Sequence, residues 1–186
     1  MVAYRTIMAD SDTHTADSVD LGAEVGEEAA EPDFDTLLGV ITDGFVGAVG
    51  GLVGTAAMTV VLLVAATLGG FDTASFATLA EMTGASILVP VYPAALGYVM
   101  FLAGGMVIWP LMLASIGSYL PGRRFAERGV SFGIVLWTGF APAFHSDQTG
   151  TALYLYLLLT LVAHVAYGFT LGSVFDYFST RPDTLV

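Results

Sequence analysis

Residues 45–68 run for 24 positions without a charged side chain. At 1.5 Å of rise per residue, a helix of that length is roughly 36 Å long and crosses the ~30 Å hydrocarbon core of a bilayer with some tilt. Three more apolar runs follow, at 93–119, 129–144 and 151–178. The third has 16 residues, roughly 24 Å as a helix, and needs flanking residues or packing partners to reach across. Pro110 lies inside the second run and predicts a kink there, because its ring removes a backbone donor. Between the first two runs, Asp72 or Thr73 can cap a short helix that carries Phe76, Leu79 and Ala80 on one face and stops at Gly84. About ten residues cannot span, so this piece is expected to lie at the membrane surface, its apolar face against lipid or against the bundle. The predicted fold class is all-α. Residues 36–180 form a membrane domain of four transmembrane helices, a short interfacial helix separates spans one and two, and residues 1–35 are a disordered acidic N-terminal tail.

Composition points the same way. Of 186 residues, 55% are hydrophobic and 12% charged, and the mean hydropathy is +0.77, too apolar for an ordinary soluble domain. Ten acids, from Asp10 to Asp35, precede the first run in a segment rich in Ala, Thr and Ser, which cannot bury enough surface to offset its ordering entropy. A solvated, self-repelling tail is the plain outcome for such a segment, and a dedicated binding arm is the alternative. All five basic residues are arginine, which together with the acidic tail suggests a salt-rich, halophile-like setting. A net charge of −12 disfavours nucleic acid as a partner. The absence of cysteine excludes disulfides, thiolate metal sites and cysteine nucleophiles. No basic segment directly precedes the first run, so that run is expected to anchor the chain rather than be cleaved.

Arg123, Arg124 and Arg128 share the short loop between spans two and three, and arginine-rich loops stay on the cytoplasmic side. Alternation then puts both termini in the cytoplasm, with Arg5 and Arg181. Asp43 and Asp176 fall at a similar depth and are expected to pair with the loop arginines. Apolar burial cannot drive helices together in lipid, so close backbone approach must do so. Gly47-x-x-x-Gly51 with Thr55, Gly50-x-x-x-Gly54, Gly129-x-x-x-Gly133 and Gly168-x-x-x-Gly172 are the predicted packing faces. Tyr92, Tyr98, Tyr119, Tyr154, Tyr156 and Tyr177 fall near span ends and suit an interfacial belt.

There is no Walker loop, nucleophile elbow, zinc-protease motif or dinucleotide fingerprint, and the expectation is a chain without a catalytic residue, metal or cofactor. His164 stands out because it falls at the middle of the fourth span, where polar groups are expensive unless used. As a functional group it would relay protons, bind a ligand or hold haem. As a structural one it would be a neutral imidazole bonded to a neighbouring helix, with Thr55, Thr59 and Thr138 as candidate partners and Tyr167 one turn on. Haem ordinarily needs a second strong ligand, and no other histidine reaches mid-membrane depth. Met58, Met100 and Met106 offer thioethers, but methionines in apolar helices are mostly packing groups. His145 and Asp147, in an outer loop, and Glu81 and Glu127 are ordinarily solvated.

The stretches Gly51-Leu-Val-Gly-Thr-Ala-Ala-Met-Thr59 and His164-Val-Ala-Tyr-Gly-Phe-Thr-Leu-Gly172, with Arg128-Gly-Val-Ser-Phe-Gly133 and Trp137 between them, resemble an uncharacterised family of small four-helix prokaryotic membrane proteins, a domain of unknown function. The resemblance covers residues 45–178 and implies the fold without a transferable activity. It also implies a second histidine in span two, where this chain has Phe101, four residues before Gly105. Phe101-x-x-x-Gly105 and His164-x-x-x-Gly168 take similar places in their spans, which hints at a two-helix unit used twice. The reading favoured by the sequence is a non-enzymatic structural or accessory subunit of a membrane assembly, such as a respiratory one, lying in the lipid bilayer and associating with itself or with other membrane subunits. A small oligomeric transporter or channel with His164 on its path is the alternative, and a haem-binding electron carrier comes third.

Overall fold

The computed structural model describes residues 34–88 and 90–179. The tail up to residue 33, with Arg5, and the end of the chain, with Arg181, lie outside the described residues. Helix α1 (Phe34–Thr67) begins two residues inside the segment expected to be disordered and continues through the first apolar run. Glycine ends it: Gly69 turns at φ +72°, and the Gly70 amide donates to the Ala65 carbonyl at 2.9 Å. Asp72 then accepts from the Ala74 amide at 2.9 Å and caps a 3-10 turn (Thr73–Phe76) that leads into α2 (Ala77–Met82). Gly84, at φ +74°, ends this piece, and a one-turn helix α3 (Ala85–Leu88), not foreseen from the sequence, follows. Phe76 and Ala80 are buried and the segment packs on the next helix, so its apolar face meets the bundle rather than lipid.

Helices α4 (Pro93–Met106) and α5 (Ile108–Ile116) are one rod broken at Val107. Pro110 accounts for the break. It cannot donate to the Met106 carbonyl and its ring crowds that oxygen, so the helix restarts with proline in its first turn, where no donor is needed. A 3-10 turn (Gly117–Tyr119), helix α6 (Phe125–Ala143) and helix α7 (Gly150–Ser179) complete the fold. Among the described residues, three stretches are long and apolar enough to cross a membrane: Ile41–Thr67, Pro93–Tyr119 and Gly150–Ser179. Three of the four expected spans meet that measure, and the third, now helix α6, does not. Helix α6 has 19 residues, but Glu127 and Arg128 in its first turn lower its apolarity below that of the others.

Helix α7 is central, with α1 along one side and α6 along another. Its join to α6 is glycine against glycine: a methyl group on Gly129 would strike the Gly168 carbonyl, one on Gly133 the His164 carbonyl, and one on Gly172 the Phe125 carbonyl. The broken rod crosses α1 at Gly51, where a methyl would strike the Gly105 carbonyl and come within 2.7 Å of Pro110, while Gly47 faces the same proline at 3.4 Å. The rod leans on α1 and α2, and its backbone barely approaches α6. The bundle is therefore open between α4–α5 and α6.

Two further expectations change. Asp176, placed among the loop arginines by the sequence, accepts from the amides of Phe125 and Ala126, both at 2.9 Å, and so caps the start of α6 from the end of α7. Glu127 accepts from the Arg123 amide, and Arg128 donates to the Gly122 carbonyl and lies over the Phe125 ring. Arg123, Arg124 and Asp43 are exposed. Of the six belt tyrosines, Tyr92, Tyr119, Tyr154 and Tyr177 are exposed. Tyr156 is instead fully buried and donates to the Ala141 carbonyl at 2.8 Å, and Tyr98 meets the Thr59 hydroxyl at 3.1 Å. In both, a hydroxyl near a span end found an inward partner.

Candidate functional site

Helical side chains lean back toward the preceding turn, and His164 follows that rule. Its Nδ1 lies 2.7 Å from the carbonyl oxygen of Thr160, one turn earlier on α7. A carbonyl can only accept, so Nδ1 carries the hydrogen and the neutral ring keeps a bare lone pair on Nε2. The cross-helix partners expected for this ring are engaged elsewhere. Thr55 donates to the Gly51 carbonyl at 2.8 Å, Thr59 to the Thr55 carbonyl at 2.7 Å, and Thr138, which is exposed, to the Val135 carbonyl at 2.7 Å. The Thr160 hydroxyl donates to the Tyr156 carbonyl and accepts from the Trp137 indole at 3.0 Å, tying α6 to α7 one turn from the histidine.

Tyr167 shares the histidine's surroundings and makes the bond between helices that His164 does not. Its hydroxyl donates to the Gly105 carbonyl at 2.7 Å, next to the break in the α4–α5 rod. Gly105 is required there, since a side chain would strike the Thr55 hydroxyl.

A cavity of about 520 Å³ fills the open side of the bundle, within the range of small-molecule sites. His164, Tyr167, Thr55, Phe101, Trp109 and Phe140 are among the residues that line it, together with Met58, Met82 and Met100. Among the described residues, no Asp, Glu, Lys or Arg side chain lines it. Phe140 lies 4.6 Å from the imidazole, ring centre to ring centre, and stacks on Phe144 at 4.2 Å. Phe76 and Phe101 join this aromatic group.

His164 is 4% exposed, yet its Nε2 bonds to no described residue. Among the described residues, Ser75 Oγ is the fully enclosed side-chain polar atom without a partner, so the Nε2 surface opens into the cavity. No three His, Asp or Glu side chains gather among the described residues. His145 instead bonds the Gln148 carbonyl at 3.2 Å and stands edge-on to Tyr156. The site thus sets the Nε2 acceptor of His164 and the indole N–H of Trp109 in largely apolar walls, an arrangement suited to binding.

The sequence singled out His164, Tyr167 and Thr55 and missed Phe140, Trp109, Met82 and Thr160. The only signal for Thr160 was its spacing of four residues from His164.

No curated protein and no solved structure matches the chain. A family model described as "Family of unknown function (DUF6789)" matches residues 41–186, from the first crossing to the end of the chain. That match takes in every residue of the cleft. This multi-pass, all-α membrane protein belongs to the DUF6789 family of unknown function.

Proposed function

We propose that this chain is a non-enzymatic binding protein of the membrane, which holds a small apolar molecule from the bilayer in the cleft between α4–α5 and α6. One observation carries the reading: a mid-membrane imidazole, 4% exposed, turns an unpartnered nitrogen into about 520 Å³ of apolar space. Polar groups at that depth are costly unless they are used. An accessory subunit of a larger assembly fits this reading, with the cleft as its contribution.

Helix α6 is a fourth crossing in this proposal. It runs antiparallel to α7, from Phe125 beside Gly172 to Ala141 beside Tyr156, and so shares the depth of a helix apolar enough to span. Its Glu127 and Arg128 then sit at the cytoplasmic end, with Arg123 and Arg124 in the turn before it and both termini on the same side.

Haem is the second reading, because Met58 and Met100 line the same cleft as His164. Against it, haem propionates favour cationic partners, and among the described residues no Lys or Arg lines the cleft. Purification in mild detergent, followed by solvent extraction and mass spectrometry, tests both. Gly139 lines the cleft with open space before it, so Gly139→Leu fills the site. An apolar compound extracted from the wild type and lost from Gly139→Leu supports binding. Identical extracts sink it, and a Soret band would put haem in its place.

A further inference from the structure

The hydrogen atoms around the cleft are almost all committed, and this limits what it can hold. The hydroxyl of Thr55 donates to Gly51, that of Thr83 to Leu79 and that of Tyr167 to Gly105, each to a backbone carbonyl. His164 Nδ1 donates to Thr160. These groups face a guest with lone pairs only. Trp109 is the exception: its indole N–H is engaged with no described residue.

We infer that the cleft selects a bilayer-soluble, ring-bearing hydroxyl compound of the phenol or hydroquinone class, whose O–H donates a hydrogen bond to His164 Nε2. This rests on the cleft being a binding site. A ketone, quinone or ether brings only acceptors: it can take the Trp109 N–H but leaves Nε2 unsatisfied. A hydroxyl donates to Nε2 and keeps lone pairs of its own. The walls favour a ring over a bare chain. Phe101, Phe140, Phe144 and Trp109 present aromatic surface, and Met58, Met82 and Met100 present polarizable sulfur suited to aromatic contact. No bond breaks and no proton leaves the guest.

Three probes separate the possibilities in lipid nanodiscs: para-hexylphenol, its methyl ether, and para-hexylacetophenone. Apparent affinities come from the rise in melting temperature with probe content, corrected for partition into empty nanodiscs. The phenol should bind wild-type protein about tenfold more tightly than either analogue, the effect of a hydrogen bond worth ~1.4 kcal/mol. It should also shift the nitrogen NMR signal of His164 in protein carrying isotope-labelled histidine. His164→Gln, which keeps an acceptor oxygen, should retain much of the preference, and His164→Leu should bind all three probes alike. Equal binding of the three by wild type, or a preference that survives in His164→Leu, overturns the selection while leaving the cleft a binding site. Binding of none overturns both.

Discussion

At the scale of single residues, two neighbours on α7 divide the work that the sequence would assign to one. His164 bonds within its own helix, so removing the ring breaks no hydrogen bond between helices. Tyr167 makes that tie, to Gly105. Hydrogen bonds between membrane helices average ~0.6 kcal/mol and reach ~1.7. Tyr167→Phe should therefore lower stability in detergent by about 0.6 to 1.7 kcal/mol, and His164→Leu by less than about 0.6. Unfolding curves of both variants check this; a larger loss from the histidine would show that its ring holds helices together. The position of His164 was legible because a lone imidazole in a long uncharged run is conspicuous. Its partner was not, since a backbone carbonyl leaves no mark in the sequence and three hydroxyls at similar depth looked equally suitable. The rest of the cleft was hidden for a different reason. Phe140, Trp109 and Met82 are ordinary apolar residues on separate helices, and the space between them depends on which backbones fail to touch.

Among the elements, the α6–α7 pair is the most tightly specified. Glycines meet carbonyls from both sides, and Asp176 holds the first amides of α6. Gly168→Ala should cost about 1 to 3 kcal/mol, because the obstruction is the backbone of Gly129 rather than a side chain that can swing away. Gly139→Ala, with nothing within 4 Å of the new methyl, should stay within about 0.5 kcal/mol of wild type. Equal melting temperatures for the two variants would show that the glycine contact is dispensable. Asp176→Ala should cost about 0.5 to 2 kcal/mol, the range for losing a helix cap, and hydrogen exchange should rise first at the Phe125 and Ala126 amides. The sequence signalled close approach through its glycine spacing and the break in span two through Pro110. It did not signal the capping role of Asp176, because nearby arginines are an obvious partner for a carboxylate and two backbone amides are not.

For the whole molecule, the arginine-bearing end sets which way the bundle faces. Ser118 and Ser146 are exposed at opposite ends of the bundle. With Ser118→Cys and Ser146→Cys in turn, a membrane-impermeant thiol reagent on intact cells should label only position 146. Label at 118 alone would invert the protein. A chain beginning at Phe34, where α1 starts, should insert and purify as well as the full-length protein. Loss of monodisperse material would show that the preceding residues contact the bundle.

The gap between α4–α5 and α6 has a consequence for how any guest competes. If that side faces acyl chains, the vacant site is filled by lipid rather than water. A guest that moves into it from the bilayer exchanges one oily surrounding for another and gains almost nothing from leaving hydrocarbon. Occupancy is then set by mole fraction in the membrane, against a vast excess of lipid tails as rivals. In such a contest discrimination falls to the few contacts that lipid cannot imitate, and a lipid tail has no proton to offer a nitrogen.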